Sequence, residues 1–248
     1  MNKAQALKAF NDYVSDYNSN DTRVALKIAH TFRVAEISER IALSIDKNEK
    51  INPEFSWFLG LLHDIGRFEQ VKRYDTFKDA FSTDHAELGA DILFNENLIK
   101  KFPCDELEAL EKDWRKISET AVRVHNKLKV PEGLDKKTEI YSNILRDADK
   151  TDIFRVFSEP PYDKQELENL TVRDEILRCV REHHCVPKAA VEINALESLT
   201  VICSMSFEII YPETKKIILE QGFLKKLILK IKDDYIRGEF IKLLSSWE

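Results

Sequence analysis

Four residues of this chain combine types and positions that suit a metal ion: His30, the adjacent pair His63-Asp64, and Asp149. His63-Asp64 closes the most apolar stretch of the sequence, FSWFLGLLHDIG. A carboxylate beside an imidazole is costly in such surroundings unless something offsets its charge. A metal ion does so by taking the imidazole nitrogen and the carboxylate oxygen as ligands. Standing alone, the pair would more often be an Asp capping the turn at Gly66 and a His bonded to a backbone carbonyl. It does not stand alone. His30 lies on the helical stripe of Val34, Ile37 and Ile41, so it faces the core. In NILRDADKTDIF, Asp147 and Asp149 are two helical steps of about 100° apart and point in nearly opposite directions. The apolar neighbours Leu145, Ala148 and Val156 select Asp149 as the one facing inward.

The segments that must position these groups read as helices. Only 6 Gly and 7 Pro occur in 248 residues, too few for the tight turns of a sandwich or barrel, and Leu, Ile, Lys and Glu favour helix. The expected class is all-α. Residues 2–18 predict a first helix, and a second runs from a cap at Asp21 or Thr22 to about Asp46. A short helix, apolar on all sides, runs from Pro53 to a stop at Gly66, and belongs in the middle of the fold. The segment RFEQVKRYDTFKDAFSTD has no sustained period and reads as a long ordered loop. Helices are then expected over 84–97, 103–126 and 136–157, with four or five more beyond residue 163. No linker divides the chain, which reads as one domain over 1–248. Its motif-bearing core covers about 22–157, and a helical extension follows over about 163–248.

Composition narrows the function classes. A formal net charge of −6 argues against nucleic-acid binding by the whole surface. Cys104, Cys179, Cys185 and Cys203 form no C-x-x-C pair, so neither a disulfide framework nor a zinc ribbon is expected. The N-terminus is a charged amphipathic segment unlike a signal peptide, and Leu199–Ile210 is too short and interrupted to span a bilayer. The expected compartment is the cytoplasm.

At this point HTFRVAEISERIA, LLHDIGRF and LRDADKTD together resemble the HD superfamily of metal-dependent hydrolases. That family carries a His, a His-Asp pair and a distant Asp on helices of one bundle, and the likeness spans about residues 22–157. It implies His30, His63, Asp64 and Asp149 as metal ligands, the last matching the family's Ala-Asp-Lys or Ala-Asp-Arg motif. His85 shares a face with Leu88 and Ile92, and His125 lies on the stripe of Ala121 and Val122. For His125 a favourable helix-end position is the plain alternative. The order His, His-Asp, His, His, Asp is similar to the members that hold two ions, which implies His85 and His125 as ligands of a second ion. Those members include cyclic-dinucleotide phosphodiesterases of the HD-GYP type, whose GYP tripeptide this chain lacks. They also include di-iron oxygenases resembling myo-inositol oxygenase.

The resemblance implies hydrolysis of a phosphate ester or phosphodiester in a nucleotide-like or other small phosphorylated substrate. One or two divalent ions are implied, Mn, Fe, Co or Zn by the imidazole-rich ligand set, with Mg still open. Asp64, Arg67 and Lys150 are the expected catalytic groups. Arg67, Arg73, Lys150, Tyr74 and Phe77 are the expected substrate contacts, the cations for phosphate oxygens and the rings as platforms. The segment 67–89 is itself similar to a form recurring among bacterial HD-domain proteins of unassigned substrate. A di-iron oxygenase using the same ligands and a non-catalytic nucleotide-binding module are the rival readings. The helices beyond 163 are expected to cover the site or to form a homodimer surface, and His183 and His184 are read as a surface pair.

Overall fold

The computed structural model describes residues 1–158, 167, 170–187 and 193–248. Among these the chain is helical throughout, without a strand. The expected extension from 163 begins on residues outside those described. By contacts the chain divides into two compact units, Met1–Asp149 and Lys150–Glu248, with the division inside one long helix.

In the first unit α1 (Lys3–Val14) starts at an Asn2 cap. α2 (Thr22–Leu43) starts where the Asp21 carboxylate accepts from the Arg23 backbone N–H, meeting one of the orphan donors of the first turn. α3 (Pro53–Leu62) has Asn52 as its cap and Pro in its first turn. Its buried residues run without interruption from Phe55 to Leu62, as an all-round apolar helix requires. Phe55 meets Tyr141 edge-on at 4.9 Å, and Phe10 meets Phe68 at 5.9 Å. Each such ring, fully buried, contributes about 1.5–3 kcal/mol.

Three expectations need correction here. Gly66 does not end a helix. α3 stops at Leu62, the chain turns through His63 and Asp64, and α4 (Ile65–Tyr74) begins. The segment after Gly66 is therefore helical for its first half, and the loop is confined to residues 75–84 around a short turn at Asp79–Phe81. The weak period arose because α4 spends polar Gln70 on an inward position, and an apolar pattern cannot register that. The helix expected over 84–97 is α5 (His85–Ala90), continued by a wider π turn at Asp91–Asn95. The helix expected over 103–126 is broken into α6 (Cys104–Leu110) and α7 (Trp114–Val124). α8 (Lys136–Ser158) follows as expected.

The second unit holds α9 (Asp174–Arg181), α10 (Ala195–Ser204), α11 (Pro212–Gln221), α12 (Phe223–Ile228) and α13 (Asp234–Ser245). Their core gathers Val180, Leu199, Cys203, Leu227, Ile236 and Phe240. Asn194 and Glu197 form a reciprocal cap on α10, and Glu197 also receives Arg173 at 2.8 Å. No helix among the described residues is long and apolar enough to cross a membrane.

Backbone contact sets how closely the first unit's helices approach. A Cβ on Gly60 would stand 2.5 Å from Ala35 Cα, which fixes α3 against α2. A Cβ on Gly66 would stand 2.2 Å from the His85 carbonyl oxygen and 2.5 Å from Gly89 N, which fixes α4 against α5. Neither neighbour can rotate away, because each is main chain. Gly66→Ala should therefore cost about 1–3 kcal/mol or more in chemical denaturation. The Asp84 cap on α5 should contribute about 1 kcal/mol. Burial pushes its carboxyl up, but Lys127 and Asn126 outweigh burial and hold it down at about 2. This contribution is complete above the unfolded Asp value of about 3.9 and is lost as pH falls through the folded value. The stability gap between wild type and Asp84→Asn should shrink accordingly between about pH 4 and pH 2.

Candidate metal centre

The turn between α3 and α4 presents Asp64 with neither carboxylate oxygen spent on a helix cap. The carboxylate is 2% exposed. Its two oxygens face two different sets of donors. Oδ2 stands 3.5 Å from His30 Nε2 and 3.4 Å from His63 Nε2. Oδ1 stands 3.6 Å from His85 Nε2 and 3.7 Å from His125 Nε2. Asp149, on α8, closes the first set, with Oδ1 3.1 Å from His30 Nε2 and 3.7 Å from His63 Nε2. All six residues expected from the sequence thus meet in one place, from α2, the α3–α4 turn, α5, the end of α7 and α8. Asp147, expected to face outward, is also buried, so apolar neighbours distinguished the two carboxylates less sharply than anticipated. Only Asp149 reaches the histidines among the contacts described.

Whether these residues fit a metal follows from where their protons must be. His63 Nδ1 donates to the Gly60 carbonyl at 2.7 Å, and His125 Nδ1 donates to the Val122 carbonyl at 2.7 Å. His85 Nδ1 donates to the Asp79 carboxylate, at 2.9 Å from each oxygen. A neutral imidazole with its proton on Nδ1 carries only a lone pair on Nε2. His85 Nε2 and His125 Nε2 nevertheless lie 3.1 Å apart, and His63 Nε2 and His30 Nε2 lie 3.3 Å apart. Burial, aided by the charge of Arg67, pulls His85 down to about 3, so it is neutral near pH 7. At His85 and His125 two lone pairs therefore face each other and repel, and Asp64 Oδ1 beside them is buried without a hydrogen-bond donor. A cation resolves both problems. Donors around one ion at about 2.1 Å stand roughly 3.0–3.4 Å apart, close to the separations seen. The residues fit two ions: His30, His63, Asp64 and Asp149 would hold one, and Asp64, His85 and His125 the other.

Charge around the cluster is balanced from the protein side. Lys27, one turn before His30 on α2, places Nζ 2.6 Å from Asp64 Oδ2. Burial would push the Asp64 carboxyl up, but Lys27 and His63 outweigh it and hold Asp64 ionised. Burial likewise raises Asp149, and hydrogen bonding from His30 outweighs it. Arg67 Nε stands 3.7 Å from Asp64 Oδ1, and its Nη1 reaches Phe77 O at 2.7 Å and Asp79 Oδ1 at 3.0 Å. The Phe77 ring lies 5.6 and 5.5 Å from the charged groups of Lys27 and Arg67.

The other expected substrate contacts are placed as follows. Arg73 is paired with Glu69 at 2.6 Å, and Tyr74 ends α4 exposed. Lys150 follows Asp149 on α8, buried, and falls in the second unit. His183 is a surface residue bonded to Glu239 at 3.0 Å. Sequence reasoning missed Lys27 and the place of Asp79 behind His85. Lys27 was available from spacing, since residues three apart share a helix face.

The family model described as HD domain matches residues 28–153, just over half of the chain. No curated protein and no solved structure matches.

Elemental analysis should find about two transition-metal ions per chain, falling to about one in His85→Ala and in His125→Ala. One ion per chain in all three proteins would remove the second site. Metal affinity should also rise with pH. Burial lowers His63, but Asp64 and Asp149 outweigh burial and raise it above an ordinary histidine. The proton they hold stabilises the metal-free fold fully below about pH 6.5, and that stabilisation is lost as pH rises through the raised value. Metal and proton compete for Nε2, so calorimetry in buffers of different ionisation enthalpy should show proton release on binding near neutral pH.

Proposed function

The chain belongs to the HD-domain family, and on that premise we propose that it is a metal-dependent phosphohydrolase acting on a small phosphorylated substrate through a dinuclear site. The observation that carries this reading is the division of Asp64's two oxygens between two facing sets of imidazole nitrogens. Ligands that are mostly imidazole favour Mn, Fe, Co or Zn over Mg. When bound, such ions lower the pKa of water and offset charge growing on a phosphoryl group.

The protein's own groups have definable work. Asp64 and Asp149, both ionised, bring two negative charges against four imidazoles that stay neutral while they bind metal. Lys27 and Arg67 stand beside Asp64, and a phosphoryl group arriving there would meet a point charge from one and a planar fork from the other. Arg67 is fixed at Nη1 by Phe77 O and Asp79, so its orientation is set before substrate arrives. Fixed donors aimed at growing charge need no reorganisation during reaction. Phe77, in contact with both cations, would form the wall against which a base or sugar rests. Arg73 already has a partner in Glu69 and Tyr74 is exposed, so the reading leaves both outside the binding residues.

The test is hydrolysis of a panel of phosphomonoesters and phosphodiesters by metal-loaded and chelator-treated protein. Activity should require added Mn, Fe, Co or Zn. Asp64→Asn should lower kcat at least about 1,000-fold. Lys27→Ala and Arg67→Ala should each lower kcat/KM by about 10²–10³, from a charge-assisted contact made most strongly in the transition state. Turnover that consumes oxygen and stops under anaerobic conditions would replace the hydrolase with the di-iron oxygenase reading.

A further inference from the structure

Asp79 is the acceptor on which three inward-facing donors converge. His85 Nδ1 donates at 2.9 Å from both oxygens, while Arg67 Nη1 and Gln70 Nε2 each reach Oδ1 at 3.0 Å. Gln70 is fully buried, and its Nε2 also lies 2.8 Å from Ser82 Oγ and 2.9 Å from the Thr83 carbonyl, so its two N–H groups are shared among three acceptors. The loop 75–84 is thereby wrapped so that one carboxylate from it stands behind His85. The three histidines with a known Nδ1 partner are not treated alike. His63 and His125 lean on neutral carbonyls, and His85 alone of the three leans on an anion.

That asymmetry has a chemical consequence. A carboxylate behind Nδ1–H fixes the tautomer, holds the ring plane and makes Nε2 a stronger electron-pair donor. The gain goes to the side of Asp64 that faces His85 and His125, and none of it goes to His30, His63 and Asp149. We propose that Asp79 is a positioning residue that sets the affinity of the second ion through His85 while leaving the first ion unaffected. This inference rests on the dinuclear reading above. Arg67 does not account for the carboxylate by itself. Its Nη1 also bonds Gln70 Oε1 and Phe77 O, whereas His85 Nδ1 sits equidistant from both Asp79 oxygens.

The test is a titration of the metal-free full chain with Co2+, followed by calorimetry and by the visible absorption of the bound ion. Wild type should take up two equivalents. Asp79→Asn, which keeps the shape and removes the charge, should weaken the second equivalent by about 10–100-fold and leave the first unchanged. Asp79→Glu, which restores a carboxylate, should recover part of the loss. His85→Ala should abolish the second step, and adding Asp79→Asn to it should change nothing more, because the two act on one interaction. A second equivalent bound as tightly in Asp79→Asn as in wild type overturns the proposal alone. Equal weakening of both equivalents also overturns it, since that marks a general loss of structure. Wild type that binds no Co2+ overturns both the dinuclear reading and the proposal.

Discussion

The first unit is arranged around a carboxylate that has been taken out of water. Asp64 is all but fully buried, at the junction of two helices, with imidazole nitrogens on either side. Burying an anion is among the costliest acts a fold can perform, and it persists only where opposite charge is brought to it. Lys27 meets one oxygen directly, and Arg67 stands near the other. The remaining groups in contact are electron-pair donors, which add nothing positive unless they take up protons or a cation. The negative potential at the centre of this helical unit is thus a constraint the sequence had to satisfy.

Several features of local structure follow from that constraint. α3 is apolar on every side because it runs through the middle of the unit and ends at the buried pair. The turn between α3 and α4 uses its polar residues inward, so Asp64 caps nothing and its oxygens remain for the cluster. Polar residues that look misplaced, among them fully buried Gln70, belong to the network that holds the next shell of groups in place.

The gathering of the histidines and carboxylates was legible in the sequence because it obeys short periods. His30 sits on a stripe, His63-Asp64 ends an apolar run, and Asp149 is separated by rotation from its neighbour Asp147. The helical class was legible from the few glycines and prolines. Residues 65–74 were misread, because a helix that turns a glutamine inward and charges outward gives no apolar repeat. The break at 111–113 went unseen because no Pro or Gly marks it. Lys27 could have been found by looking one turn back from His30. Asp79 could not, since its partner His85 lies beyond a loop whose path no local pattern specifies. The division of contacts at Asp149 and Lys150 was equally hidden, lying inside a continuous helix without any change in composition.

The glycine contacts give the site a separation of duties. Gly60 against Ala35 and Gly66 against Gly89 set helix spacing through main-chain atoms, so the metal-binding frame owes its dimensions to the backbone. On the proposed function, the wall facing an incoming molecule would be made differently, from a side chain, Phe77, on a loop tied down by hydrogen bonds to that frame. Changes in the loop's side chains other than Asp79 can therefore reshape what is admitted while the ligand atoms keep their spacing. Such a centre is suited to diversification: one rigid chemical core can be offered to new substrates by rewriting a single connecting segment around one retained carboxylate.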